Sequence, residues 1–126
     1  MTEKTYLLSE FSVQEIQLEL IRRTEFNHFR GERVATDLMI HKELWEAVLI
    51  DREYRHLVKI RDLKSDTWNV DTLYILAPHE ESVIKLLELS QWWSPDEIKV
   101  LTEKETGKAL GSTSIGQKRL VCMYWD

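Results

Sequence analysis

Between Thr67 and Thr102 independent local signals converge on one supersecondary unit, and that unit restricts the folds open to the whole chain. In TWNVDTLYILA, the residues Trp68, Val70, Thr72, Tyr74 and Leu76 alternate along one face while Leu73 and Ile75 make the other face apolar too. That is the pattern of a strand buried on both sides. Pro78 fixes φ and lacks an N–H, and Glu80 and Glu81 suit the positive end of a helix, so a helix begins there. At about 100° per residue, Val83, Ile84, Leu86, Leu87, Leu89 and Trp93 fall on one arc, with Glu81, Lys85, Glu88 and Trp92 opposite. Ser94 and Pro95 stop the helix, and Ile98 and Val100 resume an alternating strand. The unit is β-α-β.

The flanking segments add elements on both sides. Thr5 to Leu8 reads as a short strand, and Ser12 with Glu15 spells a capping box that opens a helix, Phe11 and Ile16 being spaced as a hydrophobic staple. On that helix Val13, Ile16 and Leu20 share a face with Gln17 and Thr24, with Ile21 flanking; it ends near Thr24, and Gly31 supplies a reversal. From Arg33 to Asp51 the residues Val34, Leu38, His41, Leu44, Trp45, Val48 and Leu49 make a continuous face, which predicts a second helix, deeply packed. Alternation of Val58 and Ile60 with Lys59 and Arg61 predicts a strand over 55–62, turned by Lys64, Ser65 and Asp66 into an antiparallel hairpin with the next. The glycine-, serine- and threonine-rich stretch 103–119 reads as a turn and a loop. Leu120 to Trp125 is apolar on both faces and belongs inside the sheet rather than at its edge. The sum is an α+β fold: a single-layer mixed β-sheet of four to five strands packed with three helices, in one globular domain spanning 1–126.

Charge and cysteine content narrow the setting. A formal charge of -5 argues against nucleic acid, whose phosphates are bound by lysine and arginine releasing counterions. The acidity is uneven, because residues 22–64 hold ten Lys or Arg against eight acids. With Cys122 as its single cysteine the chain can form no internal disulfide, and it has neither a signal-like start nor a run of about 18 apolar residues, which points to the cytoplasm and away from the membrane.

No complete catalytic constellation is spelled, so catalytic residues stay unassigned and neither a cofactor nor a metal is implied. Two Glu-x-x-His spacings, Glu25 to His28 and Glu53 to His56, have the form of di-iron ligand pairs, a form that four histidines among fifteen glutamates also produce by chance. His41 on its apolar helix face reads as a satisfied core histidine, and Cys122 as a core thiol. Pro95, Asp96, Glu97 and Lys99 resemble the tail of a metal-dependent nuclease cluster, but a whole helix separates them in sequence from Asp71.

Two surfaces remain. Trp92 emerges beside Lys85 and Glu88 on the polar side of its helix, as an anchor for a protein partner or a second copy would; the alternative is that the helix stops by Gln91 and both indoles fold back over its end. Gly111, Ser112, Thr113, Ser114 and Gly116, followed by Lys118 and Arg119, could cradle an anion, with Arg22, Arg23, Arg30 and Arg33 as remote partners. The leading reading is a non-catalytic binding or regulatory domain acting through a protein partner; its rival is an enzyme or sensor for a small phosphorylated or nucleotide ligand.

Overall fold

The computed structural model describes residues 10–52 and 57–126. Strands β1 (Ala47–Asp51), β2 (Thr72–Ala77), β3 (Glu97–Val100) and β4 (Arg119–Tyr124) form one open sheet in the order β1-β2-β4-β3. Among the described residues five helices accompany it: α1 (Val13–Arg23), α2 (Gly31–Ile40), α3 (Val58–Leu63), α4 (Glu80–Ser90) and α5 (Glu103–Leu110), with a 3-10 turn at Lys42–Leu44. The fold is α+β, but among the described residues every strand pairing is antiparallel, so the sheet they form is not the mixed one expected. The strand expected at Thr5 to Leu8 and the Glu53 to His56 pair lie outside the described residues.

The β-α-β unit is present in a split form. β2 and β3 both run antiparallel to β4 and therefore parallel to each other, with β4 inserted between them. The apolar C-terminal strand is thus interior to the sheet, as its composition requires. Two other assignments are corrected. The long second helix ends at Ile40, where the His41 N–H closes on the Asp37 carbonyl, and residues 47–51 are instead the strand that pairs with β2. Residues 58–63 form a helix, not a strand, its tertiary ties deciding over a weak local preference: Lys59 reaches Asp51 and Asp62 accepts from the Asn69 amide. Part of the expected loop is also helical: Thr102 and Glu105 form a second capping box, and Gly111 closes α5 in the left-handed conformation at φ 66°.

One face of the sheet carries the core. Val48, Ile50, Leu73, Ile75, Val121 and Met123 point to the helices, where Ile21, Val34, Leu38 and Leu86 meet them. The opposite face, with Thr72, Tyr74 and Leu76 beside Leu120, Cys122 and Tyr124, is only partly covered, so neither β2 nor β4 is fully buried on both sides. Cys122 is accordingly half-buried and not a core thiol.

α1 is held to the sheet by hydrogen bonds that its apolar pattern does not announce. The Gln14 side chain donates to the Val48 carbonyl (2.9 Å) and accepts from the Val48 N–H (3.0 Å), and Gln17 accepts from the Ile50 N–H (3.0 Å). Of the expected face, Gln17, Thr24 and the flanking Ile21 do turn inward and Leu20 packs at the core margin, but Val13 and Ile16 stay exposed and Leu18 is buried, so the inward face is rotated toward Gln14 and Leu18. The N-terminus of α1 is capped as anticipated: Ser12 Oγ accepts from Glu15 N–H (3.0 Å) and Glu15 Oε1 accepts from Ser12 N–H (2.9 Å). Ser12→Ala therefore costs about 1 kcal/mol in urea unfolding, and unchanged stability would show that the cap contributes nothing.

Candidate functional site

The end of α4 separates its two tryptophans. The helix stops at Ser90, and the turn continues through Trp92 N–H to Leu89 O (3.0 Å) and Trp93 N–H to Ser90 O (2.9 Å). Ser94 then adopts a left-handed φ of 51° and Pro95 forbids further helix. The adjacent rings part at this corner. Trp93 is 1% exposed and donates Nε1–H to Asp37 Oδ2 (2.8 Å), whereas Trp92 is 64% exposed. Of the remaining tryptophans, Trp45 and Trp125 are buried and donate to backbone carbonyls, and Trp68 packs at the core margin beneath Lys59. The tryptophan content is thus mostly core, and Trp92 stands alone among them on the surface.

Trp92 lines a groove of about 520 Å³ with Lys85, Glu88, Leu89 and Gln91 from the end of α4 and His41, Glu43 and Leu44 from the 3-10 turn. Leu44 and Leu89 give it an apolar floor beside the indole, while Lys85, Glu88 and Glu43 put both signs of charge on its rim. His41 is not a core residue: its side chain is partly exposed and Nδ1 lies 3.6 Å from Glu43. The ring of Trp92 is also positioned. The Arg33 guanidinium sits 5.9 Å from its centroid, within cation–π range, and Arg33 Nε donates to Asp37 Oδ2 (3.0 Å), the oxygen that holds Trp93. The exposed indole is therefore tied through Arg33 and Asp37 to the buried one.

The residues considered for an anion are not gathered. Gly111 lies at the C-terminal end of α5, the negative end of the helix dipole. Lys118 pairs with Glu46 (3.2 Å), and Arg119 Nη1 donates to the carbonyls of Gly116 (3.0 Å) and Lys118 (2.7 Å), so both cations already have partners. Ser112 and Thr113 border a shallow depression with α5, and Ser114 donates its N–H to Ser112 Oγ (3.3 Å). The loop leads into β4 beside the end of β2 and the start of β1, whereas α1 passes Val48 and then Ile50, carrying Arg22 and Arg23 to the far end of the sheet. There Arg22, Arg23, Arg30 and Arg33 do share one groove, but carboxylates answer three of them. Arg22 and Arg23 both bond Glu19, and Arg33 bonds Asp37. The Arg22 and Arg23 hydrogen bonds hold the Glu19 carboxyl near 2 instead of 4.5. Its pKa being depressed on folding, that contribution is complete above 4.5 and is lost as the pH falls toward 2.

The remaining candidates resolve as follows. His28 Nε2 meets the Ser94 carbonyl (2.9 Å) and lies 3.4 Å from Asp96, joining the α1–α2 connection to the start of β3. Asp71, just before β2, and Glu97 and Lys99 of β3 do line one cleft of about 830 Å³ on the open sheet face, with Tyr124 and Arg52, although β4 lies between β2 and β3. Asp71 there faces Arg52 (3.6 Å) and accepts from Thr72 Oγ1 (2.8 Å). Among the described residues no group of three or more His, Cys, Asp or Glu is placed to hold a metal ion, and no helix is long and apolar enough to cross a membrane. Compared with known proteins, the chain matches no family model, no curated protein and no solved structure.

Proposed function

We propose that this chain is a non-catalytic binding or regulatory domain that acts through a protein partner seated in the Trp92 groove. The observation that carries the reading is Trp92 itself, a large side chain 64% exposed with the Arg33 guanidinium 5.9 Å from its ring. Tryptophan and arginine are enriched among the few residues that dominate interface energy, and an anchor already positioned loses less entropy on binding. The occupant this groove suits is a protein segment that places an apolar side chain beside Trp92, Leu44 and Leu89 and opposes its own charges to Lys85 and Glu88. A cytoplasmic setting fits the single cysteine.

Photo-crosslinking identifies the partner. A crosslinking amino acid placed at position 92, in cells that express the protein, captures one discrete protein, while the same group at the exposed position of Ile60 does not. Equal capture of the same protein from both positions, or capture at neither, overturns the reading.

A further inference from the structure

The two edges of the sheet are finished differently. On β1 the glutamines of α1 occupy the N–H and C=O of Val48 and the N–H of Ile50. On β3, the other edge, no described residue answers the outward groups. Antiparallel strands alternate hydrogen-bonded with non-hydrogen-bonded pairs. Because the Leu101 N–H donates to the Leu120 carbonyl (2.9 Å), Lys99 with Cys122 and Glu97 with Tyr124 are the bonded pairs. The N–H and C=O of Ile98 and Val100 therefore point away from β4. Their side chains share the core side with Met123 and Val121, yet remain 40% and 39% exposed.

We propose that a second copy of this chain adds to this edge. Two β3 strands pair antiparallel about a two-fold axis at Ile98, joining two four-stranded sheets into one. In that register Ile98 exchanges two backbone hydrogen bonds with its own copy, and their side chains meet on the core side. Glu97 of each copy then lies directly opposite Lys99 of the other on the open face, and the symmetry repeats the pair. The neighbouring register, centred on Lys99, sets lysine against lysine and is disfavoured. A short strand carrying lysine ordinarily protects an edge from foreign strands. Here Lys99 also lies 3.7 Å from Glu105 of its own copy, an exposed pair that an opposing Glu97 joins, and Glu97, two residues away, makes the same edge complementary to itself. This surface is distinct from the Trp92 groove, and neither reading rests on the other.

Charge reversal tests it. In sedimentation equilibrium the wild-type mass rises with concentration from 15.0 kDa toward twice that value. Glu97→Lys and Lys99→Glu each set like charges opposite one another and stay monomeric at concentrations where the wild type dimerises. Mixed in equal amounts the two variants associate, because each lysine then faces a glutamate. Hydrogen exchange at the Ile98 amide slows as the dimer forms, and Trp92→Ala dimerises as the wild type does. A wild type that remains at 15.0 kDa into the millimolar range, single variants that dimerise normally, or a mixture that stays monomeric each overturns the proposal.

Discussion

Trp93→Ala lowers the stability of the protein by about 3 to 5 kcal/mol, seen as a fall of roughly 10 to 20 °C in Tm. The ring is fully buried, and its loss opens a cavity in the core beyond the end of α4, where the surrounding side chains cannot fully collapse. Two polar consequences add to the lost burial. Asp37 Oδ2 loses its indole donor, and the Trp93 carbonyl, which accepts Trp125 Nε1–H (3.0 Å), shifts with the relaxing turn. Trp125 in turn packs edge-on against Phe29, with centroids 4.5 Å apart, so the disturbance reaches the α1–α2 connection. Trp92→Ala at the neighbouring position changes stability by less than about 1 kcal/mol, as exposed substitutions do. Urea unfolding of the two variants side by side checks this, and equal losses would mean that the two rings are not divided between core and surface.

Gly31→Ala is the second large effect, expected to cost at least about 3 kcal/mol, the upper end of ordinary overpacking. Gly31 opens α2 where it crosses the end of α1, and a Cβ there would stand 2.2 Å from the Ile21 carbonyl oxygen and 2.7 Å from those of Arg22 and Thr24. All three are backbone atoms, so no rotamer change relieves the clash and the helices must separate. Gly107 offers an internal comparison, because its Cβ would meet one backbone oxygen, that of Ser112 at 2.7 Å. The Gly31 variant is therefore the less stable of the two in urea. A Gly31→Ala protein as stable as the wild type would show that α1 and α2 do not cross at this distance.

What the sequence made legible followed from short-range chemistry. The Ser12 to Glu15 box, the start of α4 just after Pro78, and the interior place of Leu120 to Trp125 each depend on residues a few positions apart, whereas α4 ends at Ser90, short of the stop expected at Ser94 and Pro95. The α5 cap was equally readable, since Thr102 and Glu105 repeat the Ser12 and Glu15 spacing, but the glycines beyond drew the whole stretch into a loop assignment. What failed depended on tertiary partners. Residues 47–51 continue the apolar periodicity of α2, and only pairing with β2 makes AVLID a strand. Gln17 shares the face of Val13, Ile16 and Leu20, but nothing local shows that its amide and that of Gln14 serve a strand edge. For the candidate site, Lys85 and Glu88 follow from helical spacing; the helix ends at Ser90, as the alternative expected, and the turn beyond it carries Trp92 into the same groove. His41 and Arg33 come from α2 and its C-terminal end, and no local pattern could have joined them to Trp92.

The most direct measurement is the dissociation constant of the captured partner for three proteins: wild type, Trp92→Ala and Arg33→Ala. The account predicts a loss of at least about 2 kcal/mol, roughly 30-fold, for Trp92→Ala. It predicts a smaller loss for Arg33→Ala, where the indole remains but is no longer held, with both variants folded as the wild type. A partner that binds Trp92→Ala as tightly as the wild type would contradict it.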